Sequence, residues 1–119
     1  MSQGRSVLIV DDDPAIRGLV AAVLVGDGYR VETASNGAEA LDKAERHRPD
    51  AVVLDAMMPV MNGWEFLARW RERPAECRAP VLVVSAAEGW RTALREGASG
   101  YLSKPFDLDT LESTLRLVL

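Results

Sequence analysis

The sequence predicts an α/β domain built on an open parallel sheet, and two observations predict it. Short apolar runs, Val7-Leu8-Ile9-Val10, Ala51-Val52-Val53-Leu54 and Val81-Leu82-Val83-Val84, are each bounded by turn residues. Runs of that kind suit strands buried on both faces. Between them lie stretches with apolar residues at helical spacing, which gives the order βαβαβαβαβα. Such alternation implies right-handed crossovers, helices on both faces, and every strand ending on the same rim.

The first strand runs into Asp11-Asp12-Asp13-Pro14. Proline favours the first turn of a helix and aspartate the position before it, so Asp13 is expected as an N-cap. That leaves Asp11 and Asp12 at the strand end. The next helix carries the stripe Ile16, Leu19, Val20, Val23 and Leu24, and Gly26 and Gly28 end it. Arg30-Val31-Glu32-Thr33 alternates polar and branched residues, as a strand nearer the sheet edge does. Asn36 and Glu39 have the spacing of a capping box. They open a second helix with a thin apolar face (Ala40, Leu41, Ala44) that stops before Pro49.

The third strand ends at Asp55, and Gly63 leads into a helix on which Phe66, Leu67 and Trp70 share a face. Trp64 and Trp70 are read as packing residues. Pro80 precedes the fourth strand, which ends at Ser85. A short helix around Trp90, Ala93 and Leu94 is closed by Gly97. Tyr101-Leu102-Ser103 forms a last strand running into Lys104-Pro105-Phe106, and Asp107 caps a final helix with the stripe Leu108, Leu111, Leu115 and Val118.

With 119 residues, 48% of them hydrophobic and 27% charged, the chain is expected to form one domain over 1–119. No apolar run approaches the ~18 residues of a membrane span. The opening residues lack the apolar core of a signal peptide, so a cytoplasmic location is expected and no membrane contact. Cys77 stands alone and can build neither an internal disulfide nor a thiolate metal site. The net charge is -4, without a run of Lys or Arg, which argues against direct nucleic-acid binding.

Asp11, Asp12, Asp55, Ser85 and Lys104 each follow a strand, so a parallel sheet brings them to one rim. At an effective dielectric of about 20, two like charges roughly 4 Å apart cost about 4 kcal/mol. Such a cluster calls for cations: Lys104 supplies one, and a hard divalent ion such as Mg²⁺ suits the oxygens that remain. His47, near the end of the second helix, has no partners at zinc spacing. A metal, a lysine, a hydroxyl and a spare carboxylate equip a site for phosphoryl transfer, with an aspartate as nucleophile. No Walker-type glycine-rich loop is present, which argues against a nucleotide donor cradled by this domain.

Val10-Asp11-Asp12-Asp13-Pro14, Asp55-Ala56-Met57-Met58-Pro59-Val60-Met61-Asn62-Gly63, Ser85-Ala86 and Lys104-Pro105-Phe106 together resemble the response-regulator receiver domain of two-component signalling. The resemblance keeps the family's order over essentially the whole chain. It implies a flavodoxin-like (βα)5 fold with strand order 2-1-3-4-5. It implies Asp55 as phosphoacceptor, Asp11 and Asp12 as the pair that positions Mg²⁺ (Asp12 the more direct ligand), and the backbone carbonyl of Met57 as a further metal ligand. Ser85 matches the family's switch hydroxyl, Lys104 its site lysine with a cis bond to Pro105, and Tyr101 the aromatic that turns inward when the hydroxyl moves. The implied partners are a histidine kinase or histidine phosphotransfer protein and an unspecified output domain or protein. The protein would modify itself without being a turnover enzyme, and phosphorylation would shift a population of conformers.

The chain departs from the family in three places. The stretch from Ser85 to Gly97 is a few residues shorter than usual, which leaves a homodimer open without carrying over the family's dimer contacts. Asn62 stands where Asp is commoner. Ala56 and Met57 are ordinary loop variation, with shielding of an acyl phosphate from water by the Met57 side chain as an expectation. Two competing readings are a haloacid-dehalogenase-like phosphatase, from the Asp-x-Asp after the first strand, and a non-phosphorylated pseudo-receiver scaffold. The first lacks a cap domain and has its best nucleophile after the third strand; the second usually lacks a site residue, and none is missing.

Overall fold

The computed structural model describes residues 4–58, 60–85 and 89–119. Met1–Gln3, Pro59 of the motif after the third strand, and Ala86–Glu88 of the shortened segment lie outside the described residues. Five strands form one parallel sheet: β1 (Ser6–Val10), β2 (Arg30–Ala34), β3 (Ala51–Asp55), β4 (Val81–Ser85) and β5 (Gly100–Ser103). Their order is 2-1-3-4-5, the flavodoxin-like arrangement, with every neighbouring pair parallel. The helices are α1 (Pro14–Gly26), α2 (Gly37–His47), α3 (Gly63–Trp70), α4 (Trp90–Arg95) and α5 (Leu108–Val118). No helix among the described residues is long and apolar enough to cross a membrane.

Strand alternation divides the core in two. Leu8, Val10, Val52, Leu54, Val81 and Val83 face one side, where they meet Ala40 and Ala44 of α2, Phe66, Leu67 and Trp70 of α3, and Ala93 of α4. Val7, Ile9, Val53, Leu82 and Val84 face the other, against Val20 and Leu24 of α1 and Leu111 and Leu115 of α5. Because helices cover both sides, β1, β3 and β4 must be apolar at nearly every position, which is why they read as unbroken runs. β2 lies at an edge, as its polar alternation predicts. Phe66 and Trp70 stack with centroids 5.7 Å apart, and the Trp70 indole N–H donates to Ala79 O at 3.1 Å.

Two local expectations need correction. Leu19 belongs to the α1 stripe by spacing, yet it is 55% exposed. It lies one residue, about 100° round the helix, from Val20, which faces the sheet, and so falls on the flank of the buried face. At α2, Asn36 does accept the Glu39 N–H, but Glu39 Oε1 accepts from the N–H and hydroxyl of Ser35 instead of closing the box on Asn36. Asn36 is fully extended (φ -159°, ψ 173°), and it is the amide before it that reaches Glu39. The reciprocal capping box belongs to α3. There Asn62 N–H donates to Glu65 Oε1 at 3.0 Å and Glu65 N–H to Asn62 Oδ1 at 2.9 Å.

In the β3–α3 loop, Val60 has φ +69°. A branched side chain in the left-handed region carries a steric cost of about 1–2 kcal/mol, and Val60 is 82% exposed, so little packing offsets it. Val60→Asn should therefore stabilise the fold by on the order of 1 kcal/mol, because Asn tolerates this region better. Urea denaturation is the check, and a lower midpoint for the variant would refute the strain.

Candidate functional site

A sheet in the order 2-1-3-4-5 sends the chain in opposite directions from β1 and β3, and the crevice opens where those two strands end. Asp11 extends β1 by one residue, its N–H donating to Ala34 O at 3.1 Å. Asp55 is the last residue of β3. Asp11 and Asp55 are buried while Asp12 is exposed at the rim, and one carboxylate oxygen from each of the three lies within 4.8 Å of the others. Lys104, just beyond β5, reaches into this cluster, and its Nζ donates to Asp55 Oδ1 at 3.2 Å. Ser85 is buried at the end of β4, between β3 and β5. The five residues expected at one rim are thus brought to it.

Local sequence explains how each group is held. Asp13 caps α1 through the Ala15 N–H, as expected, and its own N–H donates to Asp11 Oδ1 at 2.9 Å. Arg17 Nη1 donates to the Asp11 carbonyl at 2.8 Å, a brace the sequence reading does not include. Beyond β3, Ala56 N–H donates to Val84 O, Gly63 N–H donates to Ala56 O, and Met57 N–H donates to Asp55 Oδ1 at 3.3 Å. A Cβ on Gly63 would lie 2.5 Å from Asp55 O and 2.7 Å from Ala56 Cα. Only glycine lets the loop close this tightly on the strand end. The Asn62-Gly63 pair in the sequence signals a turn but not this close approach. Lys104 is held in turn, its N–H donating to Ser85 O at 2.7 Å, and the Lys104–Pro105 peptide is cis. Tyr101 is half-buried on β5, and the Met57 side chain is 68% exposed.

Burial raises the Asp11 carboxyl above its usual range. The hydrogen bond from Asp13 opposes that rise, and the Asp55 charge adds to it. A carboxylate whose folded pKa lies above its unfolded value loses stability as pH rises between the two. Near neutrality the ionised cluster therefore costs stability unless a cation joins it. The donors are all oxygens, and the two buried carboxylates lie beside an exposed one that leaves room for water, which fits a hard divalent ion.

Fold and site together define a doubly wound α/β domain with a carboxylate–lysine pocket at the switch point of its sheet. A family model described as "Response regulator receiver domain" matches residues 7–116, and the chain belongs to that family. It is 40% identical over 116 residues to the transcriptional regulatory protein TrcR of Mycobacterium tuberculosis, covering 95% of this chain and 44% of that protein. It is 41% identical to the response regulator MprA of a Mycobacterium species, covering 95% of this chain and 50% of that protein. The chain spans about half the length of the curated relatives it matches. The solved structure of the chemotaxis response regulator CheY4 of Vibrio cholerae superposes with a TM-score of 0.88 at 41% identity, over 97% of this chain and 98% of that one. Receiver domains are phosphoacceptor modules of two-component signalling, bind Mg²⁺ as a class and are in general not turnover enzymes. Membership favours this class over the phosphatase and scaffold readings.

In a chelator, Asp11→Asn should raise the melting temperature near neutral pH, because it removes a desolvated charge and keeps the Oδ1 that accepts from Asp13. Millimolar Mg²⁺ should raise the melting temperature of the parent and do so far less for the variant. Differential scanning calorimetry reads both shifts, and equal Mg²⁺ gains in the two proteins would show that Asp11 takes no part in holding the ion.

Proposed function

We propose that Asp55 accepts a phosphoryl group, in the cytoplasm, from the phosphohistidine of a histidine kinase or phosphotransfer protein. The change then alters the surface the domain over 1–119 offers to an output domain or protein. The observation that carries this reading is the contact of buried Asp55 with Lys104 inside an oxygen-only acidic cluster. In the transfer, a carboxylate oxygen of Asp55 attacks phosphorus in line with the phosphorus–nitrogen bond. That bond breaks, its electron pair returns to the imidazole nitrogen, and an acyl phosphate remains on Asp55. Lys104 Nζ compensates charge on the phosphoryl oxygens, and the Ser85 hydroxyl donates to one of them. Asp11, Asp12, Asp55 and the Met57 carbonyl would hold Mg²⁺, which when bound supplies further charge neutralisation at those oxygens. Ser85 and Tyr101, on neighbouring strands, are the residues through which the pocket biases the α4–β5 face.

The donor must itself reach the rim. Beside Lys104, the side chains of Ile16, Leu19, Val20, Phe106 and Leu108 form a largely apolar groove between α1 and the start of α5. A protein that brings a phosphohistidine to Asp55 covers this groove, and the exposure of Leu19 suits contact with it.

Asp55→Asn should abolish labelling by acetyl phosphate and leave the far-ultraviolet circular dichroism unchanged; label persisting elsewhere would reassign the nucleophile. Leu19→Glu should slow transfer from a phosphorylated histidine kinase at least about ten-fold, the effect of roughly 1.4 kcal/mol. Its labelling by acetyl phosphate should equal the parent's. A parallel loss with both donors would place the effect in the pocket and remove the groove from donor contact.

A further inference from the structure

Gly89 precedes α4 with φ -75° and ψ -10°. These are ordinary helical angles, so the backbone does not require glycine at this position. Space does. A Cβ on Gly89 would stand 2.7 Å from Tyr101 Oη, 3.3 Å from Tyr101 Cε1 and 3.4 Å from Ser85 Cβ. The first distance is shorter than non-bonded atoms tolerate, while the third is ordinary contact. The bare Cα of Gly89 is thus the floor of a wedge between the Tyr101 phenol and Ser85. Tyr101 enters this wedge from β5, where it pairs with Val83, two residues before Ser85 on β4. Its ring packs against the core cluster that includes Ala93 of α4.

We propose that Gly89 is a positioning residue: its missing side chain holds open the place where Tyr101 rests beside Ser85. It thereby sets how strongly a phosphoryl group on Asp55 is felt at the α4–β5 face. The second half of this inference rests on the phosphoacceptor reading of Asp55; the first concerns the resting protein alone. The obstructed atom is the tip of a side chain, whereas Gly89 is tied to the first turn of α4. A methyl group at residue 89 therefore moves the ring and spares the fold. By linkage, whatever the inward ring contributes to binding a phosphoryl mimic is lost when the ring is kept out.

The test compares the parent, Gly89→Ala, Tyr101→Phe and the double variant. Fluorotyrosine labelling gives one resonance each for Tyr29 and Tyr101, the two tyrosines of the chain. In Gly89→Ala the Tyr101 resonance should move to the position of an exposed ring, and beryllofluoride binding in Mg²⁺ should weaken about five-fold or more. In the Tyr101→Phe background, where the phenol oxygen is gone, adding Gly89→Ala should change that affinity less than about two-fold, within the scatter of independent sites. An unmoved Tyr101 resonance, an equal loss of affinity in both backgrounds, or unfolding of Gly89→Ala would each overturn the proposal. Failure of the parent to bind beryllofluoride would overturn the phosphoacceptor reading instead, with the Tyr101 resonance still deciding the contact at Gly89.

Discussion

The structure turns on one contact, that of the Lys104 ammonium with the buried Asp55 carboxylate. Asp11 and Asp12 crowd the same carboxylate, and burial, with the Asp55 charge adding to it, raises the Asp11 carboxyl above its usual range. A single lysine cannot balance three acids, so the pocket is left with a charge deficit that a hard cation or a donor's positive partners can fill. The deficit matters because buried, unbalanced charge destabilises a fold. The rest of the molecule is an apolar sheet sealed on both faces.

Topology makes that rim possible. Parallel pairing aligns the ends of β1, β3, β4 and β5, and the reversal of direction between β1 and β3 leaves the crevice uncovered. Within that frame, the fine positioning is done by backbone. Gly63 allows the β3–α3 loop to fold against Asp55, the capping box of Asn62 and Glu65 anchors its far end, and the Lys104 N–H ties β5 to Ser85. Charge at Asp55 therefore meets groups fixed to neighbouring strands.

The link from pocket to surface is short. Ser85 ends β4, Tyr101 lies on the adjacent strand, and Gly89 brings the start of α4 against both. The proposed switch is thus a matter of who occupies a small wedge, which is a two-state choice rather than a graded deformation. Gly89 directly precedes α4, which has six residues, so the wedge lies at the start of that helix.

The sequence alone determined the element order, the buried strands and the rim residues, because period and turn chemistry are local properties. The apolar runs of β1, β3 and β4 leave no doubt that helices cover both faces, and strand-end placement assigns Asp11, Asp12, Asp55, Ser85 and Lys104 to one edge. Tertiary structure decided what depends on approach between distant segments. Leu19 shares a helical period with buried residues, but its exposure depends on where α5 and the β5–α5 loop stand. Glu39 and Glu65 have the same spacing from an Asn, yet only the second closes a capping box, because the extended angles of Asn36 put another amide in reach. Gly63 and Gly89 look like punctuation in the chain; their reason, a backbone oxygen in one case and a phenol oxygen in the other, comes from outside their own segments. Periodicity encodes which face a residue favours, whereas contact distance is fixed only when separate elements pack.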